Sequence, residues 1–346
     1  MTADLRPLDL PALEAYLTDR IPGLTGGLRV DFVDGGRSNL TYAVHAGDRS
    51  WALRRPPFGT IAPSANDIHR EFRVTAALAG STVPVAAPVL YCEDPTVIGA
   101  PFSLAAWVDG VVIRDPGQLA VLAPSTVRAV GHSMIDLLLR LHSVVPASVG
   151  LDAFGRPEGF LLRQVHRWKR QWDVVATRPS ADADELHRRL AAAVPPQSAP
   201  GIVHGDFRLD NIIFSTDLSG AAALLDWEMA TIGDPLTDLG LLLVYTDPVC
   251  APVLPHGCPV TGSDHFPTRD ELVAGYAAGT SRDLIHLTFY EALGYYKLAV
   301  IAEGVHRRFV EGMTVGSGFE TVGGAVPGLL AAGLARSPGP GRRRRP

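Results

Sequence analysis

GIVHGDFRLDNIIFSTDLSGAAALLDWEMATIGDPLTDLG, residues 201–240, holds two short apolar runs, 211–214 and 221–225, on either side of the polar turn STDLSG. Runs of that length bounded by turn residues read as two strands of a hairpin. His204-Gly205-Asp206 stands before the first run, Asn211 follows Asp206 by five residues, and Asp226 closes the second run. A hairpin brings its outer ends together, so Asp206, Asn211 and Asp226 are expected in one cleft. Oxygen ligands of this kind suit Mg²⁺, which usually takes one or two carboxylates together with substrate phosphates. Asp206 is then left to orient a nucleophilic hydroxyl and accept its proton. That set suffices for phosphoryl transfer, where catalysis is mostly positioning and charge neutralisation.

HGDFRLDN followed by LLDWE resembles the catalytic segment of the aminoglycoside phosphotransferase and choline kinase-like families. The kinase pattern H-R-D-x-x-x-x-N has the same Asp-to-Asn spacing, and a later aspartate there holds Mg²⁺. The resemblance implies that Asp206 is the catalytic base, that Asn211 and Asp226 are metal ligands, and that Arg208 faces the transferred phosphate. It also implies an α+β, two-lobed protein-kinase-like fold: an N-lobe antiparallel sheet with one helix at 1–110 and a mainly helical C-lobe at 111–333. The low-complexity end, SPGPGRRRRP, reads as a disordered tail, placed at 334–346.

Other acids in the segment have plainer readings. Asp210 and Asp217 read as turn formers, and His204 as a buried structural residue. Asp234 before Pro235 reads as a helix N-cap opening the apolar run to Val244, with Asp238 at capping-box spacing. The resemblance offers Asp234 and Asp238 a second structural role, bracing the backbone of the HGD loop.

A chain of 346 residues can bury a large core, and a net charge of −5 lacks the basic footprint of a general nucleic-acid binder. Three cysteines form no disulfide framework and fit a reducing compartment. The opening MTADLRPLDLPALEAYL carries early acids and no unbroken apolar core, so no signal peptide is expected. No run approaches the ~20 apolar residues of a membrane span. A cytoplasmic protein is expected, without nucleic-acid or membrane partners; nothing in the sequence indicates an oligomeric state.

Ahead of the catalytic segment, residues 10–17 read as a short helix, and 28–33 and 40–45 as a hairpin with GGRSN at its tip. Gly35 and Gly36 let backbone amides approach an anion, and Ser38 and Asn39 add donors, so this tip is a candidate cover for ATP phosphates. Trp51-Ala52-Leu53-Arg54 reads as the next strand. In kinases this strand ends in a lysine that contacts phosphates and pairs with a helix glutamate. Arg54 stands there instead, able to make two-pronged phosphate contacts, and Glu71 in the helix over 66–79 is its candidate partner. Strands are expected at 87–91 and 102–108. The resemblance places an inter-lobe hinge at the end of the second, with backbone groups around Ala106 and Val108 meeting adenine. Helices are expected at 127–142, 160–174, 182–193, 271–278 and 283–311, the 271–278 helix opened by a Thr268–Glu271 capping box.

ALRRPP, IHREFRV, CEDPTVIGAPF, RQVHRW, HGDFRLDN and LLDWEMATIGDPLTDLG, in that order, resemble the kinase-like domain fused to certain acyl-CoA dehydrogenases and its free-standing bacterial relatives. This resemblance implies ATP, Mg²⁺ and a small-molecule hydroxylated acceptor such as a hydroxyacyl-CoA, with aminoglycosides as the alternative. The basic residues Arg163, Arg167, Lys169 and Arg170 lean toward a negatively charged acceptor. Competing readings are a non-catalytic nucleotide-binding module, a non-haem iron site from His204, Asp206 and His256 or His265, and a zinc site from Cys250, His256, Cys258 and His265.

Overall fold

The computed structural model describes residues 8–24, 27–33, 39–57, 67–254, 256–314 and 318–337. Gly35, Gly36 and Ser38 of the expected phosphate-covering tip lie outside these, as do residues 338–346 of the expected tail. The chain divides into two compact units. The first takes Met1–Gly110 and Ala222–Ala230, the second Val111–Ala221 and Thr231–Pro346.

The first unit opens with α1 (Leu10–Arg20), capped by Asp9, which accepts from the Ala12 amide at 3.0 Å. Strands β1 (Arg29–Val33), β2 (Leu40–Ala46) and β3 (Arg49–Arg55) follow, then α2 (Ile68–Leu78), β4 (Pro88–Cys92) and β5 (Phe102–Ala106). The strands form one antiparallel sheet in the order β1-β2-β3-β5-β4. Ala46 pairs with Arg49, leaving a two-residue loop in which Gly47 takes φ +60°, the left-handed conformation such hairpins need. Alternation along β3 sends Trp51, Leu53 and Arg55 inward, where the two apolar residues join Leu13, Leu17, Phe102 and Leu104 in the core. Arg54 therefore faces the other way from Arg55. β5 stops two residues short of Val108. The Ala106 amide is spent on the Ala87 carbonyl at 2.8 Å and the Trp107 amide on Ser50 at 3.1 Å, so neither N–H is open to a base.

A boundary near Gly110 is expected to leave all later residues in the second lobe, whereas the structure returns Ala222–Ala230 to the first unit. The reason is a set of specific bonds. The Leu224 amide donates to Pro84 O at 2.9 Å, and Arg70 of α2 places Nε and Nη2 on Ala230 O at 3.0 and 2.7 Å.

The second unit is helical: α3 (Pro116–Ala120), α4 (Pro124–Ser143), α5 (Phe160–Val175) and α6 (Ala181–Ala192) precede short strands β6 (Gly201–Val203) and β7 (Ile212–Phe214). β8 (Ala221–Leu224) leads into the returned segment, and β9 (Thr231–Gly233) pairs antiparallel with β6. Then come α7 (Leu236–Tyr245), α8 (Arg269–Ala278), α9 (Leu287–Val310) and α10 (Val322–Arg336). α9 is buried along nearly its whole length and packs against α5, α6, α7 and α10. A Cβ on Gly240 would stand 2.6 Å from the Tyr290 backbone, so glycine there is what lets α7 and α9 touch. The 271–278 helix begins earlier, at Arg269, with the Thr268–Glu271 capping box formed. The 283–311 helix begins later, at Leu287, and α10 is an addition to the expected elements. Its last turn takes in residues 334–336, where the tail is expected to begin, because the helix stays packed on α9 to that point. Among the described residues no helix is long and apolar enough to cross a membrane.

Candidate active site

Two sets of side chains carry the candidate chemistry, one in each unit. In the first unit, α2 turns Ile68, Glu71, Val74 and Leu78 inward, which buries Glu71 opposite the end of β3. Arg54 Nη1 meets Glu71 Oε1 at 2.7 Å, and Nη2 meets Asp226 Oδ1 at 3.4 Å. Burial alone would lower the Arg54 pKa, but the carboxylates of Glu71, Asp226 and Glu228 outweigh it and raise it. Burial raises Glu71, against the Arg54 charge, and Asp226 pushes the same way. Arg54 Nε is buried with no hydrogen-bond partner, a donor that an anionic oxygen would satisfy. Asp226 sits at φ +64°, a strained conformation for a residue with a side chain. Arg55 is buried and places Nη1 on Ile98 O at 2.8 Å, so it is no substitute for Arg54. Asn39 is 2% exposed at the head of β2, and both ends of its amide lack a partner.

In the second unit, the HGD loop hangs from α7. Asp238 is fully buried and accepts the His204 amide at 2.6 Å and the Gly205 amide at 2.8 Å. Of the two roles open to Asp238, the structure shows the brace. α7 starts one residue later than the Asp-Pro pair suggests, with Pro235 as its N-cap, so Asp234 stands just outside the helix. It accepts the Leu236 amide at 3.1 Å and also takes the Ser198 amide and hydroxyl and the Tyr290 hydroxyl. His204 is buried, and its Nδ1 accepts the Asp206 amide at 3.2 Å, a structural role.

Asp206 gathers the remaining donors. Its Oδ2 accepts from Arg208 Nε at 3.1 Å and Asn211 Nδ2 at 3.0 Å, and its Oδ1 accepts from the Tyr245 hydroxyl at 2.5 Å. Lys297 of α9 donates to the Gly205 carbonyl. Burial would raise the Asp206 pKa, but Arg208, Lys297 and the Tyr245 bond bring it down to about 2. Burial lowers Lys297 in spite of Asp206 and Asp238. Arg208 is committed through Nε to Asp206 and through Nη1 to Asp210 at 2.8 Å, which makes it first a holder of Asp206. Asp210 is thus more than a turn former, because it fixes Arg208 from the other side.

Tyr245 and Lys297 escape the sequence reading. Tyr245 ends an apolar run and Lys297 lies inside one, so both look like packing positions. The one available signal was a lone cation amid EALGYYKLAV, where an unpaired charge would be costly. Of the basic residues on α5, Arg163 donates to the carbonyls of Arg156 and Glu158, and Lys169 pairs with Asp173 and Asp184.

Each unit carries an oxygen donor of the kind a hard cation takes. In the second unit Asn211 turns its Nδ2 to Asp206, so its carbonyl oxygen is the end left to accept a ligand; in the first unit Asp226 supplies a carboxylate. Among the described residues no group of three or more His, Cys, Asp or Glu could hold a metal, so the iron and zinc ligand sets do not assemble. The Cys250 and Cys258 thiols instead donate to the carbonyls of Val244 and Tyr245.

A family model described as a phosphotransferase enzyme family matches residues 29–276. Acyl-CoA dehydrogenase family member 11 of Gallus gallus is 37% identical over 314 residues, covering 88% of this chain and 40% of that protein. Family member 10 of Mus musculus is 37% identical over 306 residues, covering 87% of this chain and 28% of that protein. The chain therefore spans well under half the length of these relatives. Among solved structures, a protein of Ralstonia eutropha JMP134 assigned as an aminoglycoside phosphotransferase matches with TM-score 0.82 and 29% identity, over 95% of this chain and 98% of that one. A thermostable mutant of the aminoglycoside phosphotransferase APH(4)-Ia, in a ternary complex with AMP-PNP and hygromycin B, matches with TM-score 0.61 and 17% identity, over 93% and 98%. The fold is kinase-like, with an antiparallel sheet in the first unit and a helical second unit.

Proposed function

Because the chain belongs to the phosphotransferase enzyme family, we propose that it moves the γ-phosphate of ATP, with Mg²⁺, to a hydroxyl of a small-molecule acceptor. The observation that carries this is Asp206: an ionised carboxylate fixed on one oxygen by Arg208 and Asn211, in a loop held by Asp238. At a pKa of about 2 it is a weak base. Its work is therefore to orient the acceptor hydroxyl and take its proton late, which suits a loose phosphoryl-transfer transition state.

Bound Mg²⁺ would neutralise the charge of the transferring phosphate, held by Asn211 and Asp226. Arg54, with an unsatisfied Nε and a buried carboxylate behind it, offers its guanidinium to the nucleotide phosphates. Glu71 keeps that guanidinium in one orientation. Asn39 is the described donor nearest in sequence to the glycine-rich tip. Arg208 spreads positive charge around Asp206 and stops its carboxylate from turning.

For the acceptor we favour a hydroxyacyl-CoA-type metabolite. The support is the similarity to chains named acyl-CoA dehydrogenases, with which this chain shares a region of matching length. The α5 cations lend less, since Arg163 and Lys169 are engaged within the protein. The test is a phosphate-transfer screen of hydroxyacyl-CoAs, aminoglycosides, amino alcohols and sugars with Mg·ATP. Preferential phosphorylation of an aminoglycoside would replace the acceptor and keep the phosphotransferase. Tight nucleotide binding with no turnover on any acceptor would favour a non-catalytic module.

A further inference from the structure

Asp206 has two oxygens to offer, and Oδ2 is already shared by Arg208 and Asn211. The oxygen left for an incoming hydroxyl is Oδ1, and the Tyr245 hydroxyl stands on it at 2.5 Å. Tyr245 is the last residue of α7 and only 8% exposed. The Arg208 guanidinium lies over its ring, 5.6 Å from the centroid. Tyr245 lines a small cavity together with apolar neighbours that include Met134, Leu242, Pro259 and Val260, and the cavity also reaches Arg208 and Asp210. The backbone beneath it is pinned, because the Cys250 and Cys258 thiols donate to the Val244 and Tyr245 carbonyls at 3.0 and 3.3 Å. Vacating Oδ1 is therefore a matter of turning one side chain, with the helix end left in place.

We propose that Tyr245 is a stopper on the catalytic base: its hydroxyl occupies Asp206 Oδ1 until an acceptor hydroxyl displaces it, and so keeps water from serving as the acceptor. This role rests on phosphotransfer at Asp206 as proposed above. Water at Oδ1 would pass a proton to Asp206 while its oxygen bonds to the γ-phosphorus. The bond from that phosphorus to the bridging oxygen breaks, ADP and inorganic phosphate leave, and the proton returns to solvent. A phenol bound to an ionised carboxylate makes a strong hydrogen bond. Set in an apolar wall, it denies water both the position and the partner the reaction needs.

The test uses Mg·ATP alone, with no acceptor. ADP release is measured for the wild type and for Tyr245→Phe, with Mg·ATP affinity followed by calorimetry. Phenylalanine keeps the ring and removes only the hydroxyl. Tyr245→Leu, run beside it, keeps an apolar wall should the Phe protein fold poorly. Acceptor-free ADP release is expected to rise about tenfold or more, the ratio carried by one hydrogen bond to a charged group, with nucleotide affinity unchanged. Adding Asp206→Asn should abolish the gain. A purely structural role would lower release and melting temperature together. Unchanged or slower release at unchanged Mg·ATP affinity overturns the stopper and leaves the phosphotransferase standing. If neither wild type nor variant binds Mg·ATP, both are overturned.

Discussion

Replacing Asp206 with asparagine removes the proposed proton acceptor and keeps the side chain's shape. Its carbonyl can still accept from Arg208 and Asn211, and the Tyr245 hydroxyl can turn to accept from the new amide, so the loop should stay folded. Turnover should fall by ~10²–10⁴-fold, the usual contribution of a positioned acid–base group. Mg·ATP affinity by calorimetry should hold, because the nucleotide's candidate ligands lie elsewhere. Near-normal turnover in the folded variant would remove Asp206 from the mechanism. Arg54 and Glu71 make a second test of roles. If Glu71 acts by aiming Arg54, losing either partner spoils the same contact. The double variant Arg54→Ala, Glu71→Ala should then lose less than the sum of the single losses, with a coupling of about 0.5–3 kcal/mol in a double-mutant cycle on transfer rate. Strict additivity would separate the two residues.

At the scale of elements, α7 is the part from which the site is hung. Asp238 in its first turn holds two loop amides and lies 3.4 Å from His142 Nε2, while Tyr245 at its end reaches Asp206. Asp238→Ala would strand the buried His204 N–H at roughly 1–3 kcal/mol, and the part-buried Gly205 N–H at less. The denaturant midpoint should drop accordingly with an unchanged m-value, and turnover should fall as the loop loosens. Asp238→Asn keeps one acceptor and should lose less. An Asp238→Ala protein as stable as wild type would mean that the loop is held by other contacts. The start of α7 was legible from Asp-Pro to within one residue and its length from an apolar run, because caps and periodicity are local. That Asp234 is a hub for Ser198 and Tyr290 was not legible, since those partners arrive from 36 and 56 residues away. α10 was missed because VGGAVPGLLAAGLAR, with glycines and an interior proline, has poor helix propensity. Burial of its apolar face against α9 decides the matter instead.

At the scale of the molecule, the sheet-then-helices order was readable, as was the order of the HGD, Asn and Asp motifs within it. The discontinuity of the first unit was not, because residues 222–230 rejoin it through bonds to Pro84 and Arg70 that no window of sequence contains. Stability should carry its own mark of burial. His142 is enclosed in the second unit, with Tyr276 on Nδ1 and Asp238 near Nε2. Burial lowers its pKa from the ordinary 6.5, and the Asp238 bond only partly opposes this. The folded state then binds fewer protons than the unfolded state, so the contribution is complete above about pH 6.5 and fades as pH falls toward the folded value. Unfolding free energies taken in steps from about pH 7 to pH 5 should decline for the wild type and decline less for His142→Gln. Parallel curves for the two proteins would remove His142 as the cause.

Asp226 sits in a backbone conformation that a side chain disfavours, beside a buried carboxylate, Glu71, whose ionisation it opposes. Both penalties vanish in Asp226→Gly, which loses the 3.4 Å contact with Arg54, while Arg54 keeps its shorter pair with Glu71. Relief of the backbone strain, worth about 1–3 kcal/mol, should outweigh that loss and raise the melting temperature above the wild type's, while the proposed phosphotransfer fails for want of the carboxylate. A directed-evolution campaign that rewarded heat tolerance alone would therefore drift toward inert proteins at this codon. A lower melting temperature for Asp226→Gly would show that the carboxylate contributes more to folding than its backbone costs.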